Sequence, residues 1–259
     1  MSQALPNSLR LQKIAAEIET QERVTMLLAD SLDRPIHYHS GKIAYGFRYT
    51  KPGWRHFCLL KAVRAVSGLN ACVRLCSGGY TQEIAVLIRT IAECTTHIDY
   101  IVAGLKGEDL AAAQQEYVDA YFADFKRDSV DDFGRPRVPQ GKVHKVVGAH
   151  TDQMVQQLNS EGIFGKVDSA KLLSNVYLTH SNYVHSRYPE VMDLFGGEPP
   201  RFHLRGMAGT PKDIENLEIV ETFTCTVSNA LRFVVIHAGL KQRVLQDPDL
   251  AGWYPPRAA

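Results

Sequence analysis

The sequence predicts an all-α fold: one helical bundle of about seven helices, with a short irregular or β segment near residues 188–211. Three observations carry this reading. Apolar residues recur three and four apart through most of the chain, no run of alternating strands interrupts them, and Gly and Pro cluster in a few intervals between the periodic stretches. The 259 residues exceed the usual length of one domain without requiring two, and no internal repeat, low-complexity tract or linker divides them. The reading is therefore a single domain, with a core over about 54–245 and an N-terminal helix over 8–32 packing on it.

Each element follows from local pattern. Leu11, Ile14, Ile18, Val24 and Leu28 form one face of the first helix. The polar and aromatic stretch from Pro35 to Pro52 reads as a long loop with room for a short hairpin. A second helix is expected from Trp54 to about Leu75, with Phe57, Leu60, Val63 and Val73 inward and Gly78–Gly79 ending it. Thr81 is placed to cap a third helix, and Glu83 suits its positive N-terminus. That helix, reaching about Leu105, is apolar around most of its girth and belongs in the middle of a bundle. A fourth helix fits Glu108–Lys126, Asp128–Gly141 is a loop, a fifth covers Lys142–Leu158, and a sixth runs from Asp168 or Ser169 to about Ser186. After a Gly- and Pro-rich stretch in which Arg201–Arg205 alternates as a short strand would, one long helix is expected from Pro211 to about Val244.

Composition narrows the function classes. Hydrophobic residues at 45% and charged residues at 22% describe a globular chain, and a formal net charge of +1 provides no global field for nucleic acid, so any such surface is local. The five cysteines, without a C-x-x-C pair, read as reduced and mostly buried thiols, consistent with a cytoplasmic location. The first ten residues lack the pattern of a signal peptide. Asn229, Arg232 and His237 interrupt the most apolar late segment, so no membrane span is expected. A local group of cations (Lys126, Arg127, Arg135, Arg137, Lys142 and Lys145) is partly cancelled by Asp128, Asp131 and Asp132 and reads as an ordinary solvated loop.

Two helices carry polar residues where a bundle would not want them. Arg89, Glu93 and His97 are spaced i, i+4, i+8 on the third helix, and Tyr177, Ser181 and His185 repeat that spacing on the sixth. Successive members drift by only about 40°, so each set lies on one stripe. Unpaired buried charge costs several kcal/mol, so a stripe of this kind must find partners. Arg89 and Glu93 can pair with each other, and the simplest arrangement sets the two stripes face to face. His97, near the end of its stripe, would cap the helix or face solvent, and His180 lies about 140° from His185 and points elsewhere. A buried structural ion pair explains Arg89 and Glu93 as well as a site does, and a core or helix-end histidine explains His185 equally well. Glu93, His97 and His185 supply too few ligands for a carboxylate-bridged metal site, and no nucleotide- or cofactor-binding signature is present, so neither metal nor cofactor is expected.

Helix three, EIAVLIRTIAECTTHIDY, resembles the R-x-x-x-E helix of an uncharacterised family of bacterial all-helical proteins. Helix six, NVYLTHSNYVHSRYPE, resembles that family's Y-x-x-x-S-x-x-x-H helix, and the likeness covers roughly residues 55–190. Helix six more loosely resembles the R-N-x-x-x-H motif of the HEPN superfamily of helical bundles. Many of its members are metal-independent ribonucleases of toxin and phage-defence systems. The resemblance implies an HEPN-like architecture, an RNA or nucleotide partner, a homodimer with the motif at its two-fold interface, and a histidine that moves a proton. Aligned on His185, this chain has His180 in place of the arginine and Ser181 in place of the asparagine. A histidine lacks the rigid charged fork with which arginine grips phosphate. Three readings follow. In the first, a metal-independent endoribonuclease uses His185 as acid or base, helped by Tyr177 and Ser181, with Arg89 or Arg187 on the phosphoryl charge. In the second, the same residues, Glu93 included, line a non-catalytic cleft for a nucleotide or a partner protein. In the third, both stripes are packing devices of a structural domain.

Overall fold

The computed structural model describes residues 7–40, 44–122, 181–196, 200–250 and 252–254. Four long helices carry the core: α1 (Asn7–Asp30), α2 (Trp54–Gly78), α3 (Thr81–Ala103) and, after α4 (Ala112–Phe122) and the short α5 (Tyr188–Met192), α6 (Lys212–His237). A final short helix, α7 (Lys241–Gln246), follows. The fold is all-α, and the strand pairs among the described residues are small antiparallel ones.

Packing follows from which side of each helix is apolar. α2 and α6 touch along the middle, and α1 and α3 each pack against both of them. Phe57, Leu69, Ile88, Ile91 and Leu231 are fully buried at these contacts. On α1 the expected face is inward, with Ile14, Ile18, Val24 and Leu28 buried. Two polar residues, Gln21 and Thr25, join them. Gln21 is fully buried, and its amide donates to the Thr224 carbonyl at 2.8 Å and to Ser228 Oγ at 2.9 Å. These bonds and the Arg10–Glu221 ion pair fix the register of α1 along α6.

The helix ends have identifiable causes. Gly53 precedes α2, and its N–H donates to His56 Nδ1 at 3.2 Å. Gly79 ends α2 in the left-handed conformation, with φ 68°. A loop from further along the chain then locks onto that turn: Met207 N–H donates to the Gly79 carbonyl at 2.9 Å, and Gly206 has φ 83°. A Cβ at Gly206 would run into the Gly78 carbonyl, and one at Gly79 into the backbone of Met207 and Ala208. Only glycine fits on both sides of this backbone-to-backbone contact. The Pro35–Pro52 stretch contains an antiparallel hairpin, β1 (Ile36–Ser40) and β2 (Ala44–Arg48), with Ile36 opposite Arg48.

Several expectations need correction. Val63 faces solvent at 47% exposure, because six residues from Phe57 is a rotation of about 240° and carries it to the other side of α2. Thr81 does not cap α3: it is the first helical residue, Tyr80 holds the cap position without a side-chain bond, and the Thr81 hydroxyl accepts from Asn216 Nδ2 at 3.2 Å. α4 starts four residues later than Glu108, because Gly107 (φ 69°) turns Leu105–Lys106 back onto Asp109–Leu110. The last helix is two helices, broken by Gly239 at φ 73°. The alternation at Arg201–Arg205 yields only a two-residue strand, Arg201–Phe202, paired with Phe195–Gly196, and α5 was not foreseen. The expected loop over 128–141, the fifth helix, most of the sixth and the cations from Lys126 to Lys145 lie outside the described residues. By length and composition alone α6 is long and apolar enough to cross a membrane, a test that buried core helices also pass, and half of its most apolar window is buried in the bundle. All five cysteines are free, four of them buried and Cys225 exposed.

Candidate functional site: a charged seam and the histidine module above it

The stripe on α3 sits in the seam between three helices. Gln82, Arg89, Glu93 and His97 lie within about 80° of one another around the axis. Arg89 Nη1 is 2.5 Å from Glu93 Oε1, with the two side chains 14% and 33% exposed. α2 runs antiparallel beside α3; its Phe57 ring lies 6.5 Å from that of His97, and Lys61 feels the charge of Glu93. The two helices come close at Gly68, where an added Cβ would stand 3.0 Å from Ile91 Cγ1 and 3.5 Å from Arg64 Nη1.

Aromatic rings close one end of the seam. The His97 ring meets Tyr117 edge-on at 5.6 Å, and Phe57 contacts Tyr117 at 5.5 Å and Tyr121 at 4.8 Å. α4 contributes both tyrosines one turn apart. Lys61 extends into this group, its ammonium 4.9 Å from the Tyr121 ring centre and 5.3 Å from that of Phe57. The expectation that His97 caps the helix or faces solvent is therefore incorrect: it is half-buried against Tyr117.

Burial dominates the electrostatics here. It lowers the Lys61 pKa, against the raising effect of Cys94 and Glu93. It raises the Cys94 thiol and lifts the Tyr117 hydroxyl well above the ordinary phenol range. The Asp99 carboxyl is pushed up to about 6 by burial alone. The Cys72 thiol is driven to about 12 and Cys76 to about 11, so neither is a thiolate nucleophile near neutral pH.

The second stripe ends in a small module over residues 181–205. Residues 181–184 are helical, His185 N–H donates to the Ser181 carbonyl at 3.1 Å, and Ser186 ends the helix with φ 48°. Tyr183 donates its hydroxyl to Asp193 Oδ2 at 2.6 Å, and burial followed by that bond raises its pKa. His203 N–H donates to the Leu194 carbonyl at 2.8 Å, and the Phe195 and Phe202 rings meet edge-to-face at 5.0 Å. Exposed residues cover the outside: His185, Arg187, Tyr188, Arg201, Phe202, Leu204 and Arg205. Lys212 stands 3.9 Å from Asp193, joining the module to the start of α6.

One contact links the two regions. Gln82 Nε2, on the same stripe of α3 as Arg89 and Glu93, donates to the Glu190 carbonyl. By the helical rise, Arg89 lies about 10 Å and His97 about 22 Å further along that stripe. Of the residues singled out from sequence, Arg89 and Glu93 are brought together, Ser181 is half-buried and His185 is exposed one turn on. Tyr177 and His180 lie outside the described residues. Lys61, Tyr117 and Tyr121 were missed, although Phe57–Lys61 and Tyr117–Tyr121 each repeat at i, i+4 on otherwise apolar or aromatic helices. Among the described residues no three His, Cys, Asp or Glu side chains come together as a metal site would require. No family model, curated protein or solved structure matches the chain.

Proposed function

We propose that the protein binds RNA or a nucleotide on the face formed by the α3 stripe and the His185 module. The observation that carries this reading is the Gln82–Glu190 bond, which anchors the module at the head of the stripe holding Arg89 and Glu93. The module supplies what single-stranded nucleic acid requires. Arg187, Arg201 and Arg205 are exposed cations, and Tyr188 and Phe202 are exposed rings on which bases can stack. This is the local patch that a chain with a net charge of only +1 needs.

The HEPN resemblance adds a catalytic extension, a metal-independent endoribonuclease in which exposed His185 transfers a proton and Arg187 or Arg89 stabilises phosphoryl charge. It also suggests a homodimer. Purified protein and its His185→Ala variant, incubated with pooled RNA and a chelator, test this. Cleavage by the wild type that the variant lacks supports the enzyme, whereas salt-dependent binding without cleavage leaves the binding domain. If neither occurs, the proposal fails.

The Arg89–Glu93 geometry favours a second reading, a packing device, since each charge already has its opposite at 2.5 Å. In that case, replacing both with leucine should hold or raise the melting temperature and leave RNA binding intact.

A further inference from the structure

The outer face of α6 has the same spacing read in either direction along the helix. Ile214, Glu218, Glu221, Cys225, Asn229, Arg232 and Ile236 follow one another at four, three, four, four, three and four residues. All seven lie within about 40° of the Cys225 direction, so they form one straight stripe about 33 Å long. α1, α2 and α3 pack against other sides of α6, leaving six of the seven exposed and Arg232 half-buried. Phe233 stands exposed beside the stripe, and half of the helix's most apolar window is not buried.

We propose that this stripe is the interface of a two-fold homodimer, in which α6 packs antiparallel against α6 of a second copy with the dyad at Cys225. Charge complementarity selects both the occupant and the orientation. Antiparallel pairing sets Glu218 opposite Arg232 of the partner copy and Ile214 opposite Ile236 of the partner copy, each contact occurring twice. Parallel pairing would set Glu218 against Glu218 and Arg232 against Arg232, which like charges disfavour. A membrane would have to take the same charges into lipid without partners.

The side chains are placed to make these contacts. Neither Glu218 nor Arg232 has an ion pair among the described residues. The Arg232 guanidinium is held by the Trp253 carbonyl, at 3.1 and 2.7 Å, and by Asn229 Oδ1 at 3.0 Å, which fixes its charge beside the stripe. With its oxygen so engaged, the Asn229 amide is left to donate to Glu221 of the partner copy. Arg10 holds Glu221 Oε2 at 2.6 Å, and Oε1 can accept. This dimer differs from the one the HEPN resemblance implies, because its dyad lies about 20 Å along α6 from Lys212, where the His185 module attaches. RNA binding by the module can fail while the dimer stands, and the reverse.

Sedimentation equilibrium across the micromolar range, with cross-linking by a short bismaleimide, tests this on the full-length protein. Cys225 is exposed and the other four thiols are buried, so a cross-linked dimer reports the dyad. The wild type should dimerise and cross-link, and Cys225→Ser should abolish the cross-link. Glu218→Arg changes an exposed side chain and sets arginine against arginine twice, so it should weaken dimerisation by ~10-fold or more at low salt, with helical content retained by circular dichroism. A wild type that stays monomeric overturns the proposal, whether or not it binds vesicles of phosphatidylcholine and phosphatidylglycerol. A dimer that Glu218→Arg leaves intact overturns it too, as does one that does not cross-link or whose cross-link survives Cys225→Ser.

Discussion

The four-helix core and the 181–205 module obey opposite rules. In the core, Phe57, Leu69, Ile88 and Leu231 are fully buried, and even the polar Gln21 is tied by two hydrogen bonds to α6. In the module, Leu204 is 82% exposed and Tyr188 78%, and the described side chains between Ser181 and Arg205 are at most half-buried. The core is held by area removed from water. The module is held by a few directed bonds, Tyr183 to Asp193, Leu194 to His203 and Gln82 to Glu190, and turns its rings and arginines outward. Stability resides in the core, and the module is where the proposed RNA binding would reside. Substitutions in the core should cost folding free energy, and those on the module should cost binding with little change in folding.

The largest effect should come from the joint between the two regions. Gly79→Ala or Gly206→Ala places a Cβ against backbone at a positive φ, where no side chain can swing aside. Each is expected to destabilise the protein by ~3 kcal/mol or more, seen as a fall in melting temperature or in the urea midpoint. Phe57→Ala, which empties the centre of the α2–α3–α4 ring cluster, should cost ~3–5 kcal/mol. A retained melting temperature in either case would break the distinction between core and module.

Asp99 sharpens the comparison through pH. Its carboxyl titrates near 6 in the folded chain, above its ordinary value of 3.8, so the folded state holds the proton more tightly than the unfolded state does. The sign follows: this group favours folding below about pH 4, and that contribution is lost as pH rises through 6. Asp99→Asn should therefore raise stability above pH 6 by up to ~3 kcal/mol and flatten the slope between pH 4 and 6, as denaturant titrations at several pH values would show.

How much of this was legible in the sequence depended on period. The long helices of the core announce themselves, because spacings such as Ile14–Ile18 and Phe57–Leu60 repeat over several turns and average out local exceptions. The module does not, since α5 has five residues and its strand pair two on each side, too short for any periodicity. Val63 is apolar, yet its helical angle sets it on the outer side of α2. Gly239 breaks the last helix at φ 73°, whereas one glycine inside a helical pattern is usually tolerated. Arg89 and Glu93 stood out as charges on an apolar helix. Lys61 escaped notice because a lone lysine on a helix is normally a solvated one, and only the convergence of α3 and α4 gives it an aromatic setting. His185, for which the sequence leaves a core or a helix-end position open, stands exposed at the helix end, where Ser186 turns to φ 48°. His185→Ala is accordingly expected to change stability by no more than ~0.5 kcal/mol, the smallest effect in this series, whatever it does to RNA.

The most direct test of the account is fluorescence anisotropy with labelled, pooled single-stranded RNA, comparing the wild type with the combined variant Arg187→Ala, Arg201→Ala, Arg205→Ala. Each lost phosphate contact should reduce the slope of log affinity against log salt by about 0.7. The expected result is salt-dependent binding by the wild type and a loss of ~10-fold or more in the variant, with melting temperatures nearly the same. Equal affinity in both proteins, or no binding by the wild type at low salt, would contradict it.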